Sequence, residues 1–522
     1  MTLLPSDLAS SRSGHQYRQR IVVSAAEMQA VESRLFDAGM PVAALMEKVA
    51  GRIFAWVMAR YPQPCPILVV AGPGHNGGDA WVVARELHQQ GYSVSVCSPI
   101  AKQKDLTAQQ SDYAKAMGVS LIAVEQVIDQ APAVIIDGLF GFGLSRPIEG
   151  ELGQLVSHVN DLTAPVVSID LPSGIHTDSG APLGEAVRAS HTLCLGLWKR
   201  ACLQDQALAY LGEVSLIDVD IPVAAIEGVL GQPQLLQTTS EAVAAALPLT
   251  RSPTTYKYRE GHLLLVCGSE VYMGAALLAA LAARASGVGM LTVAIPQALK
   301  PLIALQIPDA ITVGCPAEAG AIATFPSGFD LNAYSAIACG PGLTQHNKIV
   351  PIVLAATPPL LLDADGLNQL AQPEAKTALS QRNGYTILTP HAGEFKRLFP
   401  ELDQTDRISL AQQAAQDSGS TVLLKGACTV VAAPNGETWL NPQSTPALAR
   451  GGSGDVLSGL IGGLMAQMAA RHEPMENAAW SGVWWHAQAA LALAQERTLL
   501  GVDAHTLATR LVSQLPSILR AK

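Results

Sequence analysis

The sequence predicts an α/β protein of two domains, each built on a parallel sheet with helices on both faces. Three observations carry that prediction. The chain has 522 residues, more than one hydrophobic core organises well. Short, nearly continuous apolar runs alternate with amphipathic stretches along most of it, the pattern of strands buried on both faces. Two glycine-rich turns, AGPGHNGGD from Ala71 and ARGGSGD from Ala449, each open a helical pattern. Such turns lie where α/β sheets hold their ligands.

Composition narrows the class. Hydrophobic residues make up 49% and aromatics 5%, with 45 glycines, which suits a packed, turn-rich enzyme rather than a fibrous or disordered chain. The formal charge is −10 with no long run of one sign, so a nucleic-acid partner is not expected. Eight cysteines are scattered without a C-x-x-C, which reads as reduced buried thiols rather than a zinc site or a disulfide framework. The first twenty residues lack the apolar core of a signal peptide. The longest apolar stretch, Val271 to Ala283, is too short for a bilayer. A cytoplasmic location and no membrane partner are therefore expected.

Taken in order, AAEMQAVESRLFDAGMPVAALMEKVAGRIFAWVMA reads as two helices broken near Gly39 and Pro41. The strands PILVVAG, YSVSVCS, AVIIDGLF, PVVSIDLP, HTLCLGL and EVSLIDVDIP follow. From Asp220 to Glu260 the rhythm lapses into proline-bearing sequence with no strong strand, and the domain boundary is placed there, giving domains 1–235 and 236–522. A second series begins with HLLLVCGS, MLTVAIP, AITVGCP and YSAIACGPG. PLLLDADG, YTILTP and TVLLKG complete it, and Asn435-Gly436 within CTVVAAPNGETWLN signals a hairpin. No repeat links the halves, so they are two different α/β domains.

In the first turn Gly72, Gly74, Gly77 and Gly78 permit positive φ and close ligand approach, and the following helix end attracts anions. Asn76 and Asp79 compete with a phosphate there. Asp137, Asp170 and Ser173 fall at other strand ends of the same sheet. Oxygens of Asn, Asp and Ser are hard ligands, suited to K⁺, Na⁺ or Mg²⁺, and a bound cation lets anions and carboxylates share one site. The other reading is that Asp137 and Asp170 cap helices.

Together PILVVAGPGHNGGDAWVVAREL, AVIIDGLFGFGLSRPIEG, VVSIDLPSGIHTDSG and GEVSLIDVDIP resemble the NAD(P)H-hydrate epimerase domain. The resemblance implies a Rossmann-like three-layer αβα sandwich that binds K⁺ and interconverts the R and S epimers of hydrated NADH or NADPH. It implies substrate contacts from His75, Asn76, Gly77, Gly78, Asp79 and Asp170. The same contacts are implied for Gly141, Phe142, Gly143, Leu144, Ser145, Arg146 and Pro147. It implies K⁺ ligands at Asn76, Asp137 and Ser173. Epimerisation moves a proton, and Asp170 is the candidate general acid/base. His75 stands where the family usually has Asn, and Ala80 where Gly is common. Lys199 in LGLWKRACL matches a recurrent family lysine; a solvated loop charge is its other reading.

In the second turn, backbone N–H groups around Gly452, Ser453 and Gly454 form a nest for developing phosphate charge. Asp455 beside it can take a proton from an attacking alcohol. The alternative is a glycine-rich helix packed closely on a neighbour, with Asp455 as its N-cap. GHLLLVCGSEVYMGAALLAALAARASGVGMLTVAIP, ACGPGLT and LLDADGLNQLA, with ILTPHAGEFKRLF, VLLKGACTVVAAP and RGGSGDVLSG, resemble the ADP-dependent (in some members ATP-dependent) NAD(P)H-hydrate dehydratase. The resemblance implies a ribokinase-like αβα domain, with Ala275, Gly342, His391 and Asp455 at the hydrated nicotinamide. Lys425, Gly426, Ala427, Cys428, Thr429 and Gly454 fall at the nucleotide. Mg²⁺ is expected with ADP or ATP.

Two departures stand out. STPALAR replaces a common N-P-G-M-A-T and puts Arg450 beside the turn. HAQAAL, from His486, lacks the glycines and Asp of the usual H-G-x-A-G-D. The expected protein is a two-site enzyme for NADHX and NADPHX. Self-association is expected from the apolar helices. The rivals are a ribokinase-type small-molecule kinase with an N-terminal sensor, and a nucleotide-binding scaffold.

Overall fold

The computed structural model describes residues 11–345, 348–402 and 406–520. The reading of the extreme N-terminus falls partly outside them. The chain separates into two compact units, Met1–Leu235 and Leu236–Lys522.

The first unit carries a seven-stranded sheet ordered Ser120–Ile122, Ser93–Cys97, Pro66–Ala71, Val134–Gly138, Val166–Ile169, His191–Leu195, Glu213–Ile217. Every neighbouring pair is parallel. The strand order reverses between Pro66–Ala71 and Val134–Gly138, which opens a crevice at their carboxyl ends. Pairing of Val70 with Asp137, and of Asp137 with Ser168, sets three strand ends side by side at that edge.

Helix His75–Gln89 starts from the first of them, and its residues Gly77 to Arg85 are all buried. Helices Val42–Arg60 and Asp105–Ala116 pack on it, so it is an interior element covered on every side. Helices Ala25–Asp37 and Val42–Arg60 are separate, as the Gly39–Pro41 break predicts, and Gly39 has φ +99°. A Ser24–Glu27 capping box starts the former. Just before it, Val22–Val23 pairs in parallel with Trp198–Lys199. Two residues per strand are too few for any periodicity to announce.

The second unit holds a ten-stranded sheet. Parallel strands run from Ile311–Cys315 through Met290–Pro296, His262–Val266, Ala336–Cys339, Leu360–Leu362 and Thr386–Leu388 to Thr421–Leu424. The hairpin Val430–Ala432/Thr438–Leu440 then adds antiparallel, with Gly436 at φ +94° in its turn. Leu235–Gln237 lies at the far edge, in a stretch where the sequence suggests no strand.

Helices Met273–Ala285 and Ser453–Arg471 pack most intimately. A Cβ on Gly459 would lie 1.9 Å from Ala279 O, and one on Gly463 would lie 2.1 Å from Ser286 Oγ. Small residues thus let the backbones touch. Leu460, Ile461 and Leu464 fill the core around the seam, each burial contributing about 1.5–3 kcal/mol. The close-packing reading of this helix therefore holds for Gly459 and Gly463 and also at Gly452 in the turn, where a Cβ would lie 2.6 Å from Leu278 Cδ1. All eight cysteines are free and seven are buried. Among the described residues no helix is long and apolar enough to cross a membrane.

Candidate functional site

The first site forms where strand Pro66–Ala71 gives way to helix His75–Gln89. A Cβ on Gly72 would lie 1.7 Å from Leu139 O, and one on Gly77 would lie 1.8 Å from Gly72 O. The turn is folded so tightly against the next strand end that only glycine fits. Gly74 occupies the N-cap with no side-chain hydrogen bond, which leaves the helix N–H groups to a ligand.

Asp137 and Asp170 do not cap helices. Asp137 is buried and accepts from Ser168 Oγ at 2.7 Å, Ser173 N at 2.9 Å, Ser173 Oγ at 2.6 Å and Leu139 N at 3.2 Å. Burial pushes its carboxyl up, against those four hydrogen bonds. Asp137 and Ser173 are therefore one bonded pair. Asn76 lies nearby: its backbone oxygen is 3.2 Å from where a Cβ on Gly138 would sit. The Asn76 Nδ2 is buried without a hydrogen-bond partner.

Asp170 has φ +68°, a conformation that costs a residue with a Cβ about 1–2 kcal/mol and that persists where surrounding contacts enforce it. Its Oδ2 accepts from Phe142 N at 2.9 Å, and its Oδ1 lies 2.6 Å from Lys199 Nζ. A Cβ on Gly141 would stand 3.1 Å from Asn76 Oδ1 and 3.2 Å from Asp170 Oδ2, so those three residues share one small space. Gly143, Ser145, Arg146 and Pro147 are exposed, His75 likewise, while Phe142 and Leu144 are half-buried.

Lys199 is no solvated loop charge. Its side chain is 1% exposed, donates to Leu195 O and stands 5.5 Å from the Phe142 ring centroid. Burial opposes its charge, but Asp170, Cys194 and Glu32 outweigh it and hold the ammonium above its usual range. Asp79 is pushed well up by burial and by Glu32 and Asp170. Glu32, on helix Ala25–Asp37, reaches about 7, raised by burial and Asp170 and lowered by Lys199 and Lys104. Burial thus favours the protonated form of Glu32 and Asp79 beside a charged Lys199. Sequence reading missed Glu32: a charged residue on an amphipathic helix ordinarily faces water.

The second site forms where helix Ser453–Arg471 begins. Gly452 is its N-cap at φ +91°, and a Cβ there would meet Leu278 Cδ1 at 2.6 Å. Asp455 sits in the first turn rather than at the cap. Its carboxyl is pushed up to about 6 by burial and Asp363, with Lys425 opposing. Lys425 Nζ lies 2.7 Å from Asp363 Oδ1 and 3.7 Å from where a Cβ on Gly454 would be. Backbone contacts order the rest of the loop: Gly426 N donates to Thr429 Oγ1 at 3.3 Å, and Thr429 Oγ1 to Gly426 O at 3.0 Å. Cys428 is buried beside them.

Ala275 and Gly342 meet on another wall, where a Cβ on Gly342 would be 2.9 Å from Ala275 Cβ. His391 caps helix Ala392–Leu398, its Nδ1 accepting from Gly393 N at 2.9 Å. That bond leaves the proton on Nε2, while burial, Lys425 and Arg397 keep the ring below its usual range.

The structure accounts for Arg450 in the first departure and gives a place to His486, the residue that the second one retains. Arg450 Nη1 donates to Leu500 O at 3.1 Å and Val502 O at 2.9 Å, so backbone carbonyls hold it. His486 is buried, neutral with its pKa lowered to about 4 by burial, and donates from Nε2 to Ser453 O at 3.1 Å. It braces the glycine turn. Asp363 is absent from the sequence-derived site, because its partner Lys425 is 62 residues away.

Both units match family models: residues 42–201 match the YjeF-related protein N-terminus, and residues 263–513 match NAD(P)H-hydrate dehydratase. The chain is 51% identical over 498 residues, 94% of each chain, to the bifunctional NAD(P)H-hydrate repair enzyme Nnr of Synechocystis sp.. It is 50% identical to the enzyme of the same name from Thermosynechococcus vestitus, covering 96% of this chain and 98% of that one. A crystal structure of ADP/ATP-dependent NAD(P)H-hydrate dehydratase from Bacillus subtilis, co-crystallised with ATP/Mg²⁺, is 35% identical. It covers 54% of this chain and 97% of its own, with a TM-score of 0.46. Likeness along nearly the whole length, with a family model on each unit, places this chain in the family of bifunctional NAD(P)H-hydrate repair enzymes.

Proposed function

We propose that the chain repairs hydrated nicotinamide cofactors in the cytoplasm, epimerising NADHX and NADPHX in its first unit and dehydrating the S epimer in its second. The observation that carries the reading is Asp455, a carboxyl with raised basicity in the first turn of a helix whose N-cap, Gly452, makes no side-chain cap hydrogen bond. That pairs a proton acceptor with a cradle for phosphoryl charge.

In the second unit Asp455 takes the C6 hydroxyl proton as that oxygen attacks the terminal phosphoryl of ADP or ATP. The turn of Gly452, Ser453 and Gly454 meets the charge in transfer. Phosphate then leaves C6 with the C–O electron pair while C5 gives up a proton, which restores the ring double bond. His391 offers an N–H to the nicotinamide, and Lys425 to Thr429 line the nucleotide. Mg²⁺ bound with the nucleotide would supply charge neutralisation at its phosphates.

In the first unit Asp170 exchanges a proton with the hydrated ring, aimed by Phe142 N and charged against Lys199. Asn76, Asp137 and Ser173 would hold K⁺. The fit rests on a buried carboxylate with no ion pair among the described residues, beside an amide with an unpartnered buried end. The ion would supply positive charge where substrate phosphate approaches carboxylates.

The test supplies mixed hydrate epimers with ADP or ATP to the full chain and follows NADH absorbance. NADH returns on this reading. A phosphorylated product accumulating without NADH would instead support a small-molecule kinase.

A further inference from the structure

Lys425 stands in the nucleotide-binding run, yet its geometry asks for more than a resting contact. Its ammonium lies 2.7 Å from Asp363 Oδ1 and 3.9 Å from Glu394 Oε2. Only the first is a hydrogen-bond distance, so the group has N–H bonds to spare. The pair is lopsided: the Asp363 side chain is 2% exposed and that of Lys425 is 21% exposed. The lysine side chain is thus the more open partner of the two. Its ammonium stands beside the glycine turn, because a Cβ on Gly454 would be 3.7 Å from Nζ and 4.0 Å from Asp363 Oδ2.

Asp363 is itself tied to the helix that carries the turn. Ser458 Oγ donates to Asp363 Oδ2 and also to Gly454 O, the latter at 3.0 Å. One carboxylate thereby fixes the ammonium with one oxygen and the first turn of helix Ser453–Arg471 with the other.

We propose that Lys425 is a catalytic residue of the second site that contacts the phosphoryl group during its transfer, and that Asp363 is the positioning residue that aims it. The inference rests on the dehydratase reading above. In the transfer the bond from the terminal phosphorus to the bridging oxygen breaks, the nucleotide leaves with that electron pair, and the C6 oxygen bonds to phosphorus. The charge on the phosphoryl oxygens spreads across a space bounded by the turn's N–H groups on one side and the Lys425 ammonium on the other. An ammonium held there by Asp363 needs no rearrangement as the charge develops.

The same pair acts on the base. Asp363 and Asp365 raise the Asp455 carboxyl and Lys425 lowers it. Other titratable or charged groups around the turn are Glu394, His391, Arg450, Cys267, which burial and Asp455 push up, and His486, held neutral by burial.

The test follows NADH regeneration against pH in the full chain, with nucleotide binding measured by calorimetry. Lys425→Met should lower kcat about 100-fold, the scale of losing one donor to developing charge, with nucleotide KM changed only a few-fold. Lys425→Arg should recover part of kcat. Asp363→Asn should lower kcat and move the acid limb of kcat/KM downward by about one pH unit, since a like charge beside Asp455 is removed. A rise in KM with kcat unchanged in Lys425→Met would overturn the catalytic role. An acid limb that stays in place in an Asp363→Asn protein that binds nucleotide normally would overturn the positioning role. Loss of nucleotide binding in both Lys425→Met and Lys425→Arg would make the residue a binding group and overturn the proposal as well. Wild-type protein that returns no NADH would refute the dehydratase reading instead.

Discussion

Replacing Lys199 by methionine keeps the length and apolar stem of the side chain and removes only its charge. The ammonium and the Asp170 carboxylate are 2.6 Å apart, with side chains 1% and 3% exposed. At an effective dielectric of about 20, two unit charges at that separation attract by roughly 6 kcal/mol. Desolvation cancels much of this in the intact pair, but removing one partner leaves the other charge buried alone, at a cost of about 3–5 kcal/mol. For a unit of this size that lowers the melting temperature by about 10 °C. The carboxyl then loses the cation that holds it in place, and epimer exchange should fall at least 100-fold. The assay pairs thermal unfolding of the full chain with epimer equilibration, and dehydration serves as the control. A compensating Asp170→Asn should restore most of the stability and none of the exchange. A loss under about 1 kcal/mol, the scale of an exposed pair, with exchange intact would refute the reasoning.

Other outcomes follow from the same geometry. Gly77→Ala puts a methyl 1.8 Å from Gly72 O, so the first turn must open; epimerisation should be lost while nucleotide-dependent dehydration persists, measured side by side. Wild-type dehydration should fall below about pH 6, because Asp455 must be ionised to accept a proton and its carboxyl is held at about 6; a flat acid profile down to pH about 4, the ordinary range of a carboxyl, would remove it as the base. Asn76→Ala should weaken the K⁺ dependence of epimerisation in a potassium titration against a large organic cation, and an unchanged dependence would place the ion elsewhere.

Much of this was legible in the chain because strand ends announce themselves. Runs such as PILVV and AVIID are apolar throughout, so their ends, and the glycines or acids that follow, fall on one sheet edge whatever the loops do. The first glycine turn, Asp137 and Asp170 are read on that logic, whereas the second turn and Asp455 are read from glycines that open an apolar helix. What stayed hidden depends on contacts between distant segments. Lys199 could be read either way, because its burial comes from Val23 pairing beside it and from Asp170 across the sheet. Glu32 has the spacing of a solvated helix face, and only the packing of that helix over the site raises its carboxyl to about 7. Asp363 stood in plain view within LLLDADG, but its role depends on Lys425 and Ser458 arriving from later segments. Arg450 looked like an intruder at the anion turn until carbonyls of Leu500 and Val502 accounted for it.

The central claim is that two chemistries occupy two sites and act in sequence on one damaged cofactor. The most direct measurement follows both hydrate epimers separately, with ATP present, during the first turnovers of three full-length proteins. Wild type should drain both epimers into NADH. Asp170→Asn should drain the S epimer and leave the R epimer behind, whereas Asp455→Asn should bring the two into balance with no loss of total hydrate. If either substitution stopped both processes in a folded protein, or if Asp170→Asn drained both epimers at the wild-type rate, the two-site account would be contradicted.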